Sequence, residues 1–286
     1  MNNILRSLAA MLALTVSVGS QTLPTQQLPA SAQTKPRAYQ FRSVDYPGAY
    51  LSSVNGFNGK IALGVSDFTS FYFDGTTYKI LTIPGCLVNQ LSGINSLGVM
   101  VGACYPGGGY EVGFTFDGKT AVTFGVPGQS VWPSAINNAG QIVGYYDSAN
   151  SQTAFLYENG NFTTLAYPGA LATQPTGINS LGDVVGTFVD SSKISRAFLL
   201  KNGVYARFNY PFAAQTFLFS INDSDDMVGW AFNVAGQSFD FIYIDGIFYQ
   251  VEITDGTVSL QGITNNGDVY GTIYDSLGNA HGMIGQ

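Results

Sequence analysis

Six times along this chain one line recurs: an apolar strand ending in Ile-Asn or its equivalent, a short turn, and a second apolar strand closed by Gly. The copies run Val54-Asn55 to Gly64, Gly93-Ile94-Asn95 to Gly102, Ala135-Ile136-Asn137 to Gly144, Gly177-Ile178-Asn179 to Gly186, Ser220-Ile221-Asn222 to Gly229 and Gly262-Ile263-Thr264 to Gly271, with the closing glycines 38, 42, 42, 43 and 42 residues apart. A period near forty residues restricts the fold to solenoids, propellers or arrays. One such unit cannot bury its own apolar face and must stack on its neighbours.

Each unit reads as four short strands, a to d. Strand a ends at Ile-Asn, and a turn such as Asn137-Asn138-Ala139-Gly140 follows, with Asn first and Gly fourth, as suits a type I turn closed by a left-handed residue. Strand b is of the Ile142-Val143-Gly144-Tyr145-Tyr146 kind and strand c of the Phe155-Leu156-Tyr157 kind. Tight turns at Asp74-Gly75, Asp117-Gly118, Asn159-Gly160, Asn202-Gly203 and Asp245-Gly246 lead into strand d, of the Phe162-Thr163-Thr164-Leu165 kind. Strand d commonly runs into Pro-Gly, as at Pro84-Gly85.

Four strands in this span make one propeller blade. The chain opens on a d-like strand, Phe41 to Gly48, and finishes on a c-like strand, His281 to Ile284, so the first segment supplies the strand that the last unit lacks. The expected fold is therefore all-β: a six-bladed β-propeller over residues 39–286, with four antiparallel strands per blade, closed by the N-terminal strand pairing with the last blade. Closure also removes open ends that would pair with other chains. Ser53, Gly93, Ala135, Gly177, Ser220 and Gly262 share one register and are all small, which supports strand a over strand c as the innermost strand, where strands crowd the axis. The Gly closing strand b marks either a close backbone approach or a bulge.

Charge narrows the partners. With 18 acidic against 11 basic residues and no basic stripe, neither a nucleic acid nor an anionic membrane is an expected partner. Residues 1–20 read as a signal peptide, with one charge before an apolar run, Ser7 to Val18, too short to span a bilayer. Cleavage after Ser20 fits, and Ala30-Ser31-Ala32 allows it as late as 32. Residues 21–38 read as a flexible linker, and no second apolar segment follows, so membrane insertion is not expected. Export would place Cys86 and Cys104 in an oxidising compartment, where they can pair; two free buried thiols is the other reading.

The phrases Ala135-Ile136-Asn137-Asn138-Ala139-Gly140-Gln141-Ile142-Val143-Gly144 and Tyr145-Tyr146-Asp147-Ser148 resemble the HAF family of bacterial extracellular repeats, and the resemblance spans about residues 39–286. The His-Ala-Phe tripeptide that names the family departs here to Thr153-Ala154-Phe155, Arg196-Ala197-Phe198 and His281-Gly282-Met283. The resemblance implies export and a repeat fold. It implies no established activity, so no catalytic residues carry over.

In such a blade the a–b and c–d turns share one face, and the longer b–c and d–a loops share the other. Variable loops on a rigid scaffold are where function concentrates. Cys86 and Cys104 both fall on this loop face of unit 2, which makes a disulfide feasible. Asp67, Asp147, Asp190 and Asp275 also gather there and suit Ca²⁺, although Asp in such positions equally starts turns. Trp132, Trp230, Tyr50, Tyr105, Tyr110 and Tyr145 project near the same face. Trp132 shares a register with Tyr50, Gln90, Gln174, Phe217 and Ser259, a mixture of aromatics and amides able to stack on and hydrogen-bond a sugar. Inter-blade packing is the competing role. Catalytic motifs are lacking, and the one histidine, His281, reads as a strand residue. Glu111, Asp147, Asp190, Glu252 and Asp255 remain candidates for paired carboxylates. The expected function is an exported, non-enzymatic binding module for a glycan or a surface protein. The alternative is a carbohydrate-active hydrolase or lyase.

Overall fold

The computed structural model describes residues 39–286 except Phe68, Ala149, Asn150, Glu252, Thr254 and Asp255. The leader, the linker and the candidates Glu252 and Asp255 lie outside the described residues. No helix among the described residues is long and apolar enough to cross a membrane.

The protein is a six-bladed β-propeller of four-stranded antiparallel sheets. Blade 1 comprises β2 (Ser52–Phe57), β3 (Ala62–Ser66), β4 (Thr69–Phe73) and β5 (Tyr78–Ile80); blade 2 comprises β6 (Val88–Ile94), β7 (Met100–Tyr105), β8 (Val112–Phe116) and β9 (Ala121–Phe124). Blade 3 holds β10 (Val131–Ile136), β11 (Ile142–Ser148), β12 (Ser151–Glu158) and β13 (Asn161–Thr164). Blade 4 holds β14 (Ala172–Ile178), β15 (Val184–Val189), β16 (Ser195–Lys201) and β17 (Val204–Phe208). Blade 5 holds β18 (Gln215–Ile221), β19 (Met227–Phe232), β20 (Ser238–Ile244) and β21 (Ile247–Gln250). Blade 6 joins β22 (Thr257–Ile263), β23 (Val269–Tyr274) and β24 (Ala280–Gly285) to the N-terminal β1 (Phe41–Ser43).

Strand a is innermost, since the six a strands pack against one another around the axis. A Cβ added at Gly177 would stand 2.9 Å from the Ser220 Cα of the next blade, so the spacing of the inner strands itself demands a small residue. Every a strand also carries a β-bulge, for example between Pro133 and Ala135 opposite Gly144. A Cβ at Gly144 would meet the Trp132 carbonyl oxygen at 2.3 Å and the Phe155 ring at 2.9 Å. The two readings of that glycine therefore coincide: it faces the bulge and makes room for the strand-c aromatic. Phe71, Phe114, Phe155, Phe198 and Phe241, all 0% exposed, fill the blade interfaces in turn.

Unit 1 departs from its expected alignment. Its a–b turn is one residue shorter, closing from Asn58 N–H to Ile61 O, where unit 2 closes from Asn95 to Val99. The counterpart of Asn95 is thus Asn58, not Asn55, and the small inner residue is Gly56, not Ser53. Ser53, not Tyr50, then holds the register of Trp132.

The repeated Asn is a latch. Asn137 Oδ1 accepts the Ala139 and Gln141 N–H of its own turn, while Nδ2 donates to the Asn179 carbonyl of the next blade at 2.9 Å. The same inter-blade bond runs from Asn58 to Asn95, Asn95 to Asn137, Asn179 to Asn222 and Asn222 to Thr264. Thr264 has no amide to pass on, and its hydroxyl accepts the Asn266 and Asp268 N–H of its own turn. The seam between blades 6 and 1 is held by other means. Phe41, Arg42 and Ser43 pair with Gly285, Ile284 and Met283, and Leu51 bridges Ala280.

Candidate functional site

The two faces use their polar side chains differently. On the hairpin face, Asn95, Asn137, Asn179 and Asn222 are buried and fully engaged. On the loop face, the residue that follows or ends strand b caps its own loop in three blades. Asp190 Oδ1 accepts from Ser192 and Ile194 N–H, Asn233 Oδ1 from Ala235 and Gln237, and Asp275 Oδ1 from Leu277 and Asn279. The Ile194 amide is the main cause holding the Asp190 carboxyl below its usual range, aided by Arg196. The Asn279 side chain is the main cause holding Asp275 down at about 2. Asp67 accepts the Tyr50 and Leu51 N–H at 3.2 Å each. These carboxylates are spent on their own blades, and no three His, Cys, Asp or Glu side chains among the described residues converge to hold a metal ion. Asp67, Asp190 and Asp275 thus hold their own loops, the turn-chemistry role weighed beside calcium for such positions.

Asp147 is different. The b–c connection of blade 3 is short, so Asp147 stays inside β11, paired with Gln152 of β12. Its Oδ2 accepts the Trp132 Nε1–H at 3.4 Å and Oδ1 the Gln152 Nε2–H at 3.3 Å. Tyr145 is the cross-strand partner of Trp132, and burial, with the Asp147 charge adding to it, raises its phenol. Trp132, Tyr145, Asp147 and Gln152 therefore share one sheet face at the loop end of blade 3. The same register in blade 5 is aromatic: Phe217, Trp230 and Phe232 form a cluster with ring centroids 4.2–6.2 Å apart. Gln90 is exposed in blade 2, Gln174 half-buried in blade 4, and Tyr105 half-buried at the end of β7; they join neither cluster.

Cys86 and Cys104 form a disulfide, with Cα atoms 5.5 Å apart, that ties the d–a loop of blade 2 to β7. Glu111 accepts the Ser130 hydroxyl and is occupied by the next d–a loop. Most of the exposed large apolar side chains lie on the loop face (Tyr50, Leu51, Leu87, Tyr110, Leu171, Phe212, Val234, Tyr274 and Leu277), with Leu97 and Leu181 on hairpin turns, Val204 directly after one, and Ile80 and Val122 on outer strands.

Two sites lie outside the sequence expectations. His281 donates or accepts at Asp45 through Nδ1 at 3.0 Å and faces Asp275 through Nε2 at 3.5 Å, so it clasps the seam between the chain's first strand and its last blade. Asp45 is the main cause that raises its basicity. Asp240 lies 9% exposed in β20, its Oδ1 accepting the Leu260 N–H of blade 6 at 2.7 Å. Burial pushes its carboxyl up to about 7. The corresponding strand-c positions hold Ser70, Gly113, Ala154, Ala197 and Gly282, and that contrast was the signal available in the sequence.

The chain belongs to the β-propeller class, and its likenesses to known proteins are of fold. It is similar to a putative TolB from Agrobacterium tumefaciens (13% identity, 83% of each chain, TM-score 0.53) and to AofleA from Arthrobotrys oligospora (12% identity, 86% of each chain, TM-score 0.53). It is also similar to the β-propeller domain of the Trilobed protease from Pyrococcus furiosus (11% identity, 80% of each chain, TM-score 0.52), which is described as having an open velcro topology. Here, by contrast, β1 closes the ring on β24. No family model matches the sequence, and no curated protein matches it. Fold alone assigns no activity, so function must be argued from the site.

Proposed function

We propose that this protein is an exported, non-enzymatic binding module that engages a glycan or another surface protein through its loop face. The observation that carries this reading is the inequality of the faces: exposed apolar side chains concentrate on the irregular loops and are sparse on the latched hairpins. Contiguous exposed apolar surface rimmed by polar groups marks interaction sites. The disulfide fits an oxidising compartment, in keeping with the leader-like N-terminus. A hydrolase would need two available carboxylates roughly 5–10 Å apart. Of the described candidates, Glu111 is engaged by Ser130 and Asp190 by turn amides and Arg196, which favours binding over cleavage.

The test is to present the purified protein to a glycan array and to a panel of immobilised extracellular proteins, with bound glycans then analysed for cleavage. Saturable binding without new reducing ends or unsaturated products is expected. Turnover of a bound glycan would overturn the non-enzymatic reading.

A further inference from the structure

We propose that the ring carries a protonation-controlled clasp at its closure: the His281 imidazolium joins Asp45 of the N-terminal segment to Asp275 of blade 6, and loss of its proton loosens β1 from β24.

The geometry of the cluster carries this. Asp45 follows β1 and holds β24 with both oxygens, Oδ1 accepting the Gly282 N–H at 3.1 Å and Oδ2 meeting His281 Nδ1 at 3.0 Å. On the far side of the same ring, Nε2 faces Asp275 Oδ2 at 3.5 Å. Asp275 is fixed in place, because the Leu277 and Asn279 N–H groups hold its Oδ1 and the Asn279 side chain its Oδ2. A neutral imidazole has one N–H and one lone pair. Either tautomer therefore aims a lone pair at a carboxylate, and only the imidazolium donates to both.

The clasp sits where the ring depends most on side chains. The Asn latches that join the other blades stop at Thr264, whose side chain has no amide to donate. Closure then rests on the short strand β1 and on contacts between residues as far as 236 apart. β24 lies between β1 and β23, with β2 packed against it. Among the described residues, Asp45 and Asp275 are the charged groups that meet His281. β2 carries no titratable side chain, β23 carries the tyrosines Tyr270 and Tyr274, and Arg42 of β1 pairs with Ile284, past Met283. Tyr46, next to Asp45, packs on Phe71 and Tyr78.

The sign follows from the cluster. Asp275 is held at about 2 and stays ionised, and Asp45 raises His281 above its usual 6.5. The clasp is therefore fully present below about pH 6.5 and is lost as pH climbs through the higher value of the folded protein. The His281 side chain is 40% exposed, so water screens the clasp and its effect stays local to the seam.

Hydrogen–deuterium exchange, corrected for its intrinsic dependence on pH, reads the seam directly. Protection of residues 40–45 and 280–286 is compared with that of β12 and β13 in blade 3. Between about pH 5.5 and about pH 8.5 the seam should lose protection about threefold while blade 3 is unchanged. In His281→Gln, whose amide does not titrate, the fall should vanish. Asp275→Asn keeps an acceptor for its loop and should shrink the fall, with melting curves confirming that both variants fold. Asp240 titrates in the same interval but is common to wild type and both variants, so it drops out of the comparison. An undiminished fall in His281→Gln, or an equal fall in blade 3, would overturn the clasp. Should His281→Gln fail to fold, Asp275→Asn decides alone, and an undiminished fall there overturns it.

Discussion

The hairpin face and the loop face are built from the same residue types, Asn and Asp beside short turns, yet they do opposite things with them. On the hairpin face each buried Asn closes its own turn and reaches the next blade, so one side chain satisfies two orphan backbone amides and locks an interface. On the loop face Asp190, Asn233 and Asp275 cap their own loops, and the links between blades come instead from the hydroxyls of Ser52, Thr173 and Thr216. A face whose polar groups are committed between blades cannot vary without weakening the ring. A face whose capping groups serve their own loops can change loop by loop, and it is there that most of the exposed apolar side chains are found.

The largest expected effect falls on the hairpin face. Asn137→Ala removes four hydrogen bonds at a residue only 3% exposed and strands backbone groups, which should cost about 3 kcal/mol in urea denaturation. Asp147→Asn should cost under about 0.5 kcal/mol, as surface changes usually do. Equal losses would break the contrast between the faces. Next in size is the one covalent tie on the loop face. The double variant Cys86→Ser, Cys104→Ser opens a link between residues 18 apart and should lose about 2–3 kcal/mol on the chain-entropy account.

Asp240 gives a pH test. Its carboxyl titrates near 7 in the fold against 3.8 in the open chain, so between those values the native state binds more protons and stability falls as pH rises. Burying the ionised form is therefore a cost that is absent below about pH 4 and complete above about pH 7. Asp240→Asn keeps an acceptor for Leu260 N–H and should gain about 2 kcal/mol at pH 8 and nothing at pH 3.5. A gain equal at both values would show that packing, not ionisation, is responsible. The smallest effect concerns the seam. Thr264→Asn supplies the amide that the sixth interface lacks and should raise stability by about 1 kcal/mol, measured by thermal melting. A loss would mean that Asn58 O is out of reach.

The architecture was legible because periodicity, turn chemistry and the orphan strands at the two ends all agreed. Unit 1 misled at one point: Val54-Asn55 mimics the Ile-Asn signature, while the true counterpart, Phe57-Asn58, is followed by a turn one residue shorter. The sites were less legible. Whether an Asp stays within strand b or lies beyond it depends on the length of the following loop, which separates Asp147 from Asp190. The Asp45–His281 contact joins residues 236 apart, beyond any local pattern. Asp240, however, stood out among Ser, Gly and Ala in its column and could have been found by aligning the units on strand c.

The claim that function resides on one face is tested most directly by placing charge on each face in turn. Leu171→Arg with Leu277→Arg alters the loop face, and Leu97→Arg with Leu181→Arg alters the hairpin face, all four positions being at least 62% exposed. Binding of both double variants to the ligand recovered from the array is measured beside wild type. Loss confined to the loop-face pair, with both proteins melting as wild type does, is the predicted result. Loss confined to the hairpin-face pair would contradict it.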